Sequence, residues 1–498
     1  MQEGLYAIVG SAGRGALEAN YRLDDAAPFA VVAPASESEV CALLEYTHAM
    51  RTPCLVAGSG TYLTHLVPPD RAWWLLSTRR LSRVVDYSPQ DLVLTVGAGM
   101  TLHAVQELLR EYRQYLPWNP ALPQQATIGG IVSSNRAGAW RYRYGTPRDR
   151  LLAVRAVTPD GVAFKSGAKV VKSVAGYDIH RLLCGAWGTL AVITELTLKV
   201  QPLPLHFEAV GWQTTWDALE PTLAELMRMP LQPDGISVLA MRNHDAGVWQ
   251  VHKAAQVGDF IPTTRSEFVA PLLQVPPTSR GEPRGGSVPP ACRGNLKEGV
   301  FTKDCYARST LLEPPPAVAP LTQPELQTEP RLQTAPDAPV PYLLLEFSGS
   351  PEGVAWQIAQ LRERGYPAEP VPEAMLRQVR DWLAPRRHAL LLQILLRPSE
   401  VADAMARWSE LRGVSVVAHA GNGVLYVAAD ESGLTDALLQ RVRALNAKYR
   451  VLSGAGWLRE HSGGELPKLA LSDGERRLMQ RLKAALDERG ILPDLIRG

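Results

Sequence analysis

The sequence predicts an α+β protein whose second structured part is interrupted by a proline-rich stretch. Three observations support this prediction. Strand-like and helix-like segments alternate from residue 29 to about 258 and again from 342 onward. Residues 126–194 are dense in small residues and glycine turns without being of low complexity. Residues 262–341 hold much of the chain's proline, a composition that favours extended, solvated chain over a packed core.

Length and composition narrow the class of protein. A chain of 498 residues is long enough for two or three domains with a sizeable core. The balance of 52 basic to 50 acidic residues gives no electrostatic argument for nucleic acid. No apolar run reaches the roughly 18–20 residues of a membrane span, and the first residues lack the pattern of a signal peptide. Five scattered cysteines fit a reducing compartment, so we expect a cytoplasmic protein.

The first structured part begins as a β–α–β unit. Residues 10–15 are glycine-rich, but their spacing does not fit a dinucleotide fingerprint, and we interpret them as a flexible N-terminal loop. A short strand at 30–34 precedes Ser36 and Glu39, which form a capping-box pattern for a helix over about 37–50. A second strand at 54–57 then runs directly into a glycine turn.

That glycine turn, residues 58–61, and the small-residue stretch 126–194 suggest a bound ligand. Glycine permits positive φ and lets a backbone approach its neighbour closely. Successive free N–H groups in such turns form concave anion sites. The sequence therefore predicts a large phosphate-bearing cofactor along these segments, although some glycines could serve strand–turn packing alone.

The second part repeats strands and helices on both sides of the proline-rich stretch, including strands at 206–212, 235–242 and 247–253 and helices at 216–229 and 353–364. Cys292 and Cys305 lie within the stretch without a histidine or second cysteine pair to complete a metal site, which favours a linker or a subunit-facing arm. The predicted division is an N-terminal segment (1–28), a cofactor domain (29–202), a second domain in two pieces (203–261 and 342–470) around the insertion (262–341), and a C-terminal helix (471–498).

The ordered motifs resemble one family. Residues 58–61, 126–130, Asn135, 144–145 and 188–194 resemble the FAD-binding domain of the vanillyl-alcohol oxidase type, also called the PCMH type. The run 169–178 looks like 2-hydroxy-acid dehydrogenases, and most of all the GlcE-like smaller flavin subunit of bacterial glycolate oxidase. The tail, residues 482–493, is similar to that family's C-terminal helix. The resemblance implies a two-subdomain FAD-binding domain followed by a ferredoxin-like α+β cap domain.

The resemblance also implies a set of cofactor residues. Residues 57–62 would wrap the FAD diphosphate, the central segments would line the flavin and ribityl groups, and Ile193 would pack near the adenine. Covalent members carry a histidine in the first glycine loop, and this chain has none there, so we expect non-covalent FAD. The predicted cofactor residues are Ala57, Gly58, Ser59, Gly60, Thr61, Tyr62, Pro117, Ala126, Thr127, Ile128, Gly129, Gly130, Ser134, Asn135, Gly138 and Ile193.

The catalytic end departs from the family pattern. Catalytic relatives carry a histidine- and aspartate-containing metal motif, and the matching residues 419–426 have Asn422 and Tyr426 where that motif has an acid and a histidine. With two ligands gone we expect no metal. His419 could be a catalytic base or only a loop histidine. Candidates for the remaining catalytic end are His419, Tyr426 and Arg459, with Arg141 and Arg397 as further possible clamps for a substrate carboxylate.

Two main hypotheses for function follow from the resemblance. The first is an FAD-binding subunit of a glycolate or D-lactate-like dehydrogenase complex, passing electrons to an iron–sulfur partner, alongside a paralogous flavin subunit. The second is a non-catalytic FAD-containing relay or scaffold subunit. A freestanding flavin-dependent alcohol oxidase is a third, weaker alternative. Any membrane association would be peripheral and through partners.

Overall fold

The structure is a computed structural model that describes residues 1–23, 26–66, 68–169, 177–242, 339–445, 447–461 and 473–493. The predicted strand 247–253, Cys292 and Cys305 lie outside these residues. The N-terminal part of the structure consists of helices and a short parallel sheet. Elements α1 and α2 pack against a three-stranded parallel sheet in the order β1-β3-β2. Their bounds are α1 Gln2–Val9, β1 Val31–Val32, α2 Glu37–Ala49, β2 Cys54–Ala57 and β3 Trp74–Ser77.

The N-terminal glycine-rich segment is ordered rather than a flexible loop, which corrects the sequence interpretation. It follows α1, whose Leu5 and Val9 are buried. The Gly15 N–H donates to the Val31 carbonyl at 2.9 Å, which fixes the segment against β1. Helix α2 begins as predicted: the Glu39 N–H donates to Ser36 Oγ at 3.2 Å. The Glu39 carboxylate, however, accepts from the Ala35 N–H rather than from the capping serine itself.

A five-stranded antiparallel sheet in the order β4-β5-β9-β7-β8 forms the second subdomain. A short pair, β6 with β10, lies beside it. The strands are β4 Val84–Ser88, β5 Val93–Gly97, β6 Gln114–Tyr115, β7 Leu151–Val157, β8 Ala163–Gly167, β9 Val192–Lys199 and β10 Gln201–Pro202. The helices are α3 Leu102–Arg110, α4 Ile128–Ser134, α5 Arg141–Tyr144, α6 Pro147–Arg150 and α7 Ile179–Leu183.

The remaining strands form one eight-stranded antiparallel sheet, which we call the cap sheet. Its strands are β11 His206–Gln213, β12 Gly235–Ala240, β13 Tyr342–Gly349, β14 Glu369–Pro370, β15 Leu390–Leu395, β16 Val414–His419, β17 Val424–Ala429 and β18 Lys448–Ser453. Its helices are α8 Trp216–Leu226, α9 Pro351–Glu363, α10 Glu373–Trp382, α11 Val401–Ser409 and α12 Asp436–Arg443. Two further helices follow the cap sheet in the chain, α13 Ala455–His461 and α14 Asp473–Leu486.

The cap sheet contains two β–α–β–β–α–β halves. Its strand order is β14-β11-β13-β12-β16-β17-β15-β18, so within each half the order is 4-1-3-2. That is the ferredoxin-like arrangement. The sequence predicted one such unit. The structure has two, and β12 and β16 join them edge to edge.

The two faces of the cap sheet have different coverings. Val416 and Ala418 pack into the core beneath α8, α9, α11 and α12. Val417 lies on the opposite face, in a core that also contains Ala121 and receives Tyr62 from the cofactor domain. Because side chains alternate along a strand, His419 shares the face of Val417. This face therefore carries the side chains that can reach the cofactor domain.

The C-terminal segment packs on the first subdomain. Ile491 and Leu492 are buried in the core that contains Leu5 and Trp74. The Cys54 N–H donates to the Ile491 carbonyl at 2.7 Å, which extends the edge of β2. In the described ranges, no helix combines the length and the apolar character that crossing a bilayer requires.

Candidate active site

An open cleft of about 810 Å³ runs between the two subdomains of the cofactor domain. The loop after β2, both ends of α4 and the segment that enters β9 form its walls. Most of the predicted cofactor residues line it, namely Ala57, Gly58, Ser59, Gly60, Thr61, Tyr62, Ala126, Thr127, Gly129, Gly130, Ser134 and Ile193.

The loop after β2 offers the free donors that a diphosphate needs. Gly60 has φ of +72°, and a Cβ there would lie 2.4 Å from the Asn20 carbonyl oxygen, so only glycine fits without strain. The backbone N–H groups of residues 59–62 donate to no acceptor in the part of the chain that the structure describes. The Tyr21 hydroxyl holds the loop from behind by donating to the Gly58 carbonyl at 2.9 Å. Four consecutive free N–H groups form a concave anion site.

Helix α4 has a different role. Its N-cap, Thr127, accepts from the Gly130 N–H at 3.2 Å. The N–H groups of Ile128 and Gly129 donate to the carbonyls of Met100 and Ala98 at 2.8 and 2.9 Å. The first N–H groups of α4 are therefore already used, and this helix gives the cleft a close, small-residue wall rather than an anion site.

Four predicted cofactor residues lie away from the cleft lining. Pro117 is buried in the segment before α4, and Ile128 is fully buried in the core of the second subdomain. Asn135 ends α4 in the left-handed conformation, and its Oδ1 accepts from the Arg148 N–H at 3.3 Å. Gly138 has φ of +73° and packs against Asn119. Packing and backbone geometry explain these residue types without a ligand.

The sequence reasoning missed several lining residues. Arg136 follows directly on a small-residue motif without any pattern of its own, and so does Trp187, whereas Gly188 belongs to the motif 188–194 but was not among the predicted cofactor residues. The only available signal was their position within the small-residue stretch. The remaining lining residues not predicted are Val56, Leu63, Leu66, Thr78, Ala98, Pro120, Ile131, Ser133 and Ala191.

One end of the cleft is cationic and aromatic. The Arg136 guanidinium carbon lies 4.5 Å from the Tyr62 ring centroid and 5.8 Å from that of Trp187. From the cap sheet, Arg450 on β18 approaches the same indole, at 5.9 Å. Burial raises the pKa of the Tyr62 hydroxyl, and the nearby Arg136 charge opposes that rise. This end of the cleft is where the cap sheet meets the cofactor domain.

His419 is a buried imidazole at the end of β16 on the cap sheet. Its Nδ1 lies 3.2 Å from Ser237 Oγ, and its Nε2 is buried without a hydrogen-bond partner among the described residues. Burial, followed by the charges of Arg136 and Arg141, lowers the His419 pKa to about 4. The imidazole is therefore neutral near pH 7. With Nδ1–H donated to Ser237, Nε2 holds a free lone pair.

The other predicted catalytic residues lie in different environments. The Tyr426 ring packs edge-on against His419, with centroids 5.3 Å apart, and its hydroxyl accepts from Gln393 Nε2 at 3.2 Å. Arg459 belongs to α13, and its side chain is outside the described part of the structure. Arg141 and Arg397 are exposed. Within the described ranges no three His, Cys, Asp or Glu side chains are grouped as metal ligands.

A buried polar cluster joins the cofactor domain to the cap sheet. Trp140 Nε1 donates to Glu346 Oε2 at 2.8 Å. The Arg143 guanidinium and the Tyr144 hydroxyl both donate to Asp234 Oδ1, at 2.8 and 2.9 Å. Burial raises the pKa of both carboxyl groups, that of Glu346 to about 7.

This cluster predicts a pH dependence of stability. Below pH 7 the native state holds a proton on Glu346 that the unfolded chain releases above its ordinary pKa of 4.5. Stability therefore falls as pH rises from about 4.5 to 7, by about 3 kcal/mol for a shift of this size. In E346Q, which keeps an acceptor for Trp140, we expect the thermal midpoint to vary less with pH between pH 5 and 8 than in the native chain. Above pH 7 we expect it to be higher than the native midpoint.

The control for this prediction is E111Q, a change at an exposed glutamate. Its thermal midpoints should run parallel to those of the native chain over the same pH range. An E346Q curve that is also parallel to the native one would show that Glu346 does not titrate in this window.

Comparisons with known proteins indicate the same kind of ligand as the geometry of the cleft does. Residues 28–167 match the FAD_binding_4 family model, an FAD binding domain. FAD is therefore the cofactor, and the resemblance predicted from the sequence is confirmed for this domain.

The chain is 33% identical over 202 residues to the glycolate oxidase subunit GlcE of Escherichia coli (strain K12), covering 40% of this chain and 55% of that protein. It is 32% identical over 202 residues to a mitochondrial D-lactate dehydrogenase [cytochrome] of Arabidopsis thaliana, covering 40% of this chain and 35% of that protein.

These matches span from about a third to about half of the length of the curated relatives. A solved structure of p-cresol methylhydroxylase with substrate bound superposes with a TM-score of 0.60 at 13% identity, covering 100% of this chain and 96% of that one. At this identity the likeness concerns the fold alone. The predicted PCMH-type fold is confirmed.

Proposed function

We propose that this chain, which carries an FAD-binding domain at residues 28–167, is an FAD-dependent dehydrogenase of 2-hydroxy acids. The observation that supports it most is a buried histidine, His419, packed against Tyr426, which shares a core with Tyr62 at the arginine-bearing end of the cofactor cleft. The curated relatives named above are a D-lactate dehydrogenase and a glycolate oxidase subunit. Both names refer to small 2-hydroxy acids.

In this proposal the two domains bind different molecules. We assign FAD to the domain of residues 29–202, held without a covalent bond, and the substrate to the cap formed by 203–261 and 342–470. The free N–H groups of 59–62 would hold the diphosphate. Bound FAD supplies the acceptor for the hydride that leaves the substrate carbon. His419 Nε2 takes the hydroxyl proton, because it is the lone-pair-bearing group buried at this end of the cap sheet.

The test is reduction of the chain's own flavin. The full chain, loaded with FAD, is mixed anaerobically with D-lactate, glycolate or D-2-hydroxyglutarate, and the visible spectrum is followed. At least one of these acids should bleach the flavin band, whereas 1,2-propanediol, which has the alcohol without the carboxylate, should not. A flavin that dithionite reduces but none of the acids reduces would contradict catalysis on this chain. That result would favour the relay alternative, in which a paralogous subunit oxidises the substrate.

We further propose that the chain works in a complex. The name of the GlcE relative identifies it as one subunit of a glycolate oxidase. By analogy, a second flavin subunit and an iron–sulfur subunit would receive or supply electrons, in the cytoplasm or at the membrane surface through those partners. Two observations would support this proposal. The chain should co-purify with such subunits, and its flavin, once reduced by substrate, should pass electrons to them.

A further inference from the structure

We infer that Arg136 and Arg450 together form the binding site for the substrate carboxylate. This inference rests on the proposed function and deepens it, because it names the residues that would select an acid over a simple alcohol. None of the three arginines that the sequence suggested for this role is part of the pair.

The Arg136 side chain has the burial and the unused hydrogen-bond donors expected of an anion-binding residue. Its side chain lines the cleft and the residue is 9% exposed, yet Nε and Nη2 have no hydrogen-bond partner among the described residues. Across the described ranges it makes no ion pair with any aspartate or glutamate. A buried charge without a partner is costly, so such groups are normally paired. The stacked Tyr62 ring supports the guanidinium but supplies no negative charge.

Arg450 supplies the second guanidinium, from the cap sheet. It lies on β18 of the cap sheet, is partly buried, and forms no ion pair with any described carboxylate. Both guanidiniums approach the Trp187 indole, at 5.8 and 5.9 Å. The Arg136 charge contributes to a lowered pKa of Arg450, after burial, so the two cations repel each other. An anion between them would relieve both the repulsion and the missing hydrogen bonds.

The chemistry of the site favours a small carboxylate. Planar guanidiniums bind carboxylates through paired N–H···O bonds, and aromatic walls limit the size of the ligand. One arginine comes from the cofactor domain and the other from the cap sheet, which also carries His419. The FAD diphosphate already has the free N–H groups of 59–62. A carboxylate held here would also reduce the positive potential that depresses the His419 pKa.

The test is a binding measurement that needs no turnover. Oxalate, which has no oxidisable hydroxyl, is titrated into the FAD-loaded full chain and followed by calorimetry and by the flavin spectrum. We expect R136Q and R450Q each to weaken oxalate binding about 10- to 100-fold, since hydrogen bonds to charged groups have effects of this size. R136K and R450K should recover part of the affinity. R412Q, a change at an exposed arginine just before β16 of the same cap sheet, should bind as the native chain does.

FAD content and thermal midpoint are measured on every variant. We expect both arginine variants to keep FAD and R136Q to be no less stable than the native chain, because the charge that it loses is unpaired. Loss of FAD with unchanged oxalate affinity in the loaded fraction would overturn the inference and assign Arg136 to the cofactor phosphates. A native chain that binds no oxalate would also overturn it. Weakened oxalate binding in a chain that oxidises no 2-hydroxy acid would leave the anion site standing and remove only the proposed function.

Discussion

His419→Gln is expected to slow reduction of the bound flavin by a 2-hydroxy acid about 10²- to 10⁴-fold, the range typical of losing a positioned general base. The reason is the position of Nε2, which is buried, has no partner among the described residues and keeps a lone pair when Nδ1–H is donated to Ser237. Glutamine fills a similar volume but has no nitrogen that accepts a proton. The measurement is the anaerobic rate of loss of the flavin band in a stopped-flow instrument.

His461→Gln is the matched control, because His461 is exposed at the end of α13 and its imidazole Nδ1 donates to the Trp457 carbonyl of the same helix at 2.9 Å. Its rate should equal that of the native chain. A native rate in His419→Gln would show that His419, at the end of β16, has no chemical role.

The pH profile of the same reaction adds an independent check. The profile of the rate at limiting substrate reports the pKa of the free protein. For the native chain its acidic limb should lie near pH 4, since burial and the charges of Arg136 and Arg141 lower the His419 pKa to about 4. In R136Q the limb should move to higher pH, because one positive charge that opposes the imidazolium has been removed.

The helices that the sequence predicted are those whose signals are local. Helix α2 has its capping serine and its apolar spacing within the helix itself, and the predicted and observed starts agree. Helix α4 was missed because it begins with an isoleucine and two glycines, and glycine is a poor helix former. What holds it is partly non-local, since the Gly129 N–H donates to the Ala98 carbonyl at the end of β5. Helices α10 and α13 were not predicted either.

The joining of the two cap halves could not be predicted from the sequence. Strands β12 and β16 each form locally, but their pairing brings together segments on either side of the insertion. In that pairing Ser237 lies directly opposite His419, and this is how the serine comes to orient the imidazole. A motif search sees the histidine and its neighbours in the chain. It cannot see a partner contributed by another strand.

The glycine turn and the arginine pair differ in how far the sequence predicts them. The turn and its free N–H groups could be predicted, because a backbone turn rich in glycine is encoded in consecutive residues. The proposed arginine pair could not be predicted. Arg136 is notable for buried nitrogens without a hydrogen-bond partner among the described residues, and Arg450 for its approach to the same indole, and both properties exist only after folding. The sequence suggested Arg141, Arg397 and Arg459 for this role, and these stay predictions: the first two are exposed, and the side chain of the third is outside the described part of the structure.

The glycine loop leads to the second large effect. Gly60→Ala should weaken FAD binding about 10- to 100-fold. At φ of +72° a residue with a Cβ costs about 1–2 kcal/mol, and here the new Cβ would lie 2.4 Å from the Asn20 carbonyl oxygen. The ligand-free loop would relax away from this geometry, and FAD would have to restore it to reach the N–H groups of 59–62. Quenching of flavin fluorescence on addition of the cofactor to the apoprotein measures the affinity.

Two controls separate this explanation from a general loss of stability. Gly365 has φ of +87°, and no neighbouring atom lies within 4 Å of the place that a Cβ would take, so Gly365→Ala carries the backbone cost without the collision and should keep the native FAD affinity. Riboflavin, which has no phosphate, should bind Gly60→Ala and the native chain equally weakly. Because the free N–H groups act on the diphosphate alone, the loss must appear with FAD and not with riboflavin. An equal loss for both ligands would mean that the loop shapes the flavin pocket and that the diphosphate is held elsewhere.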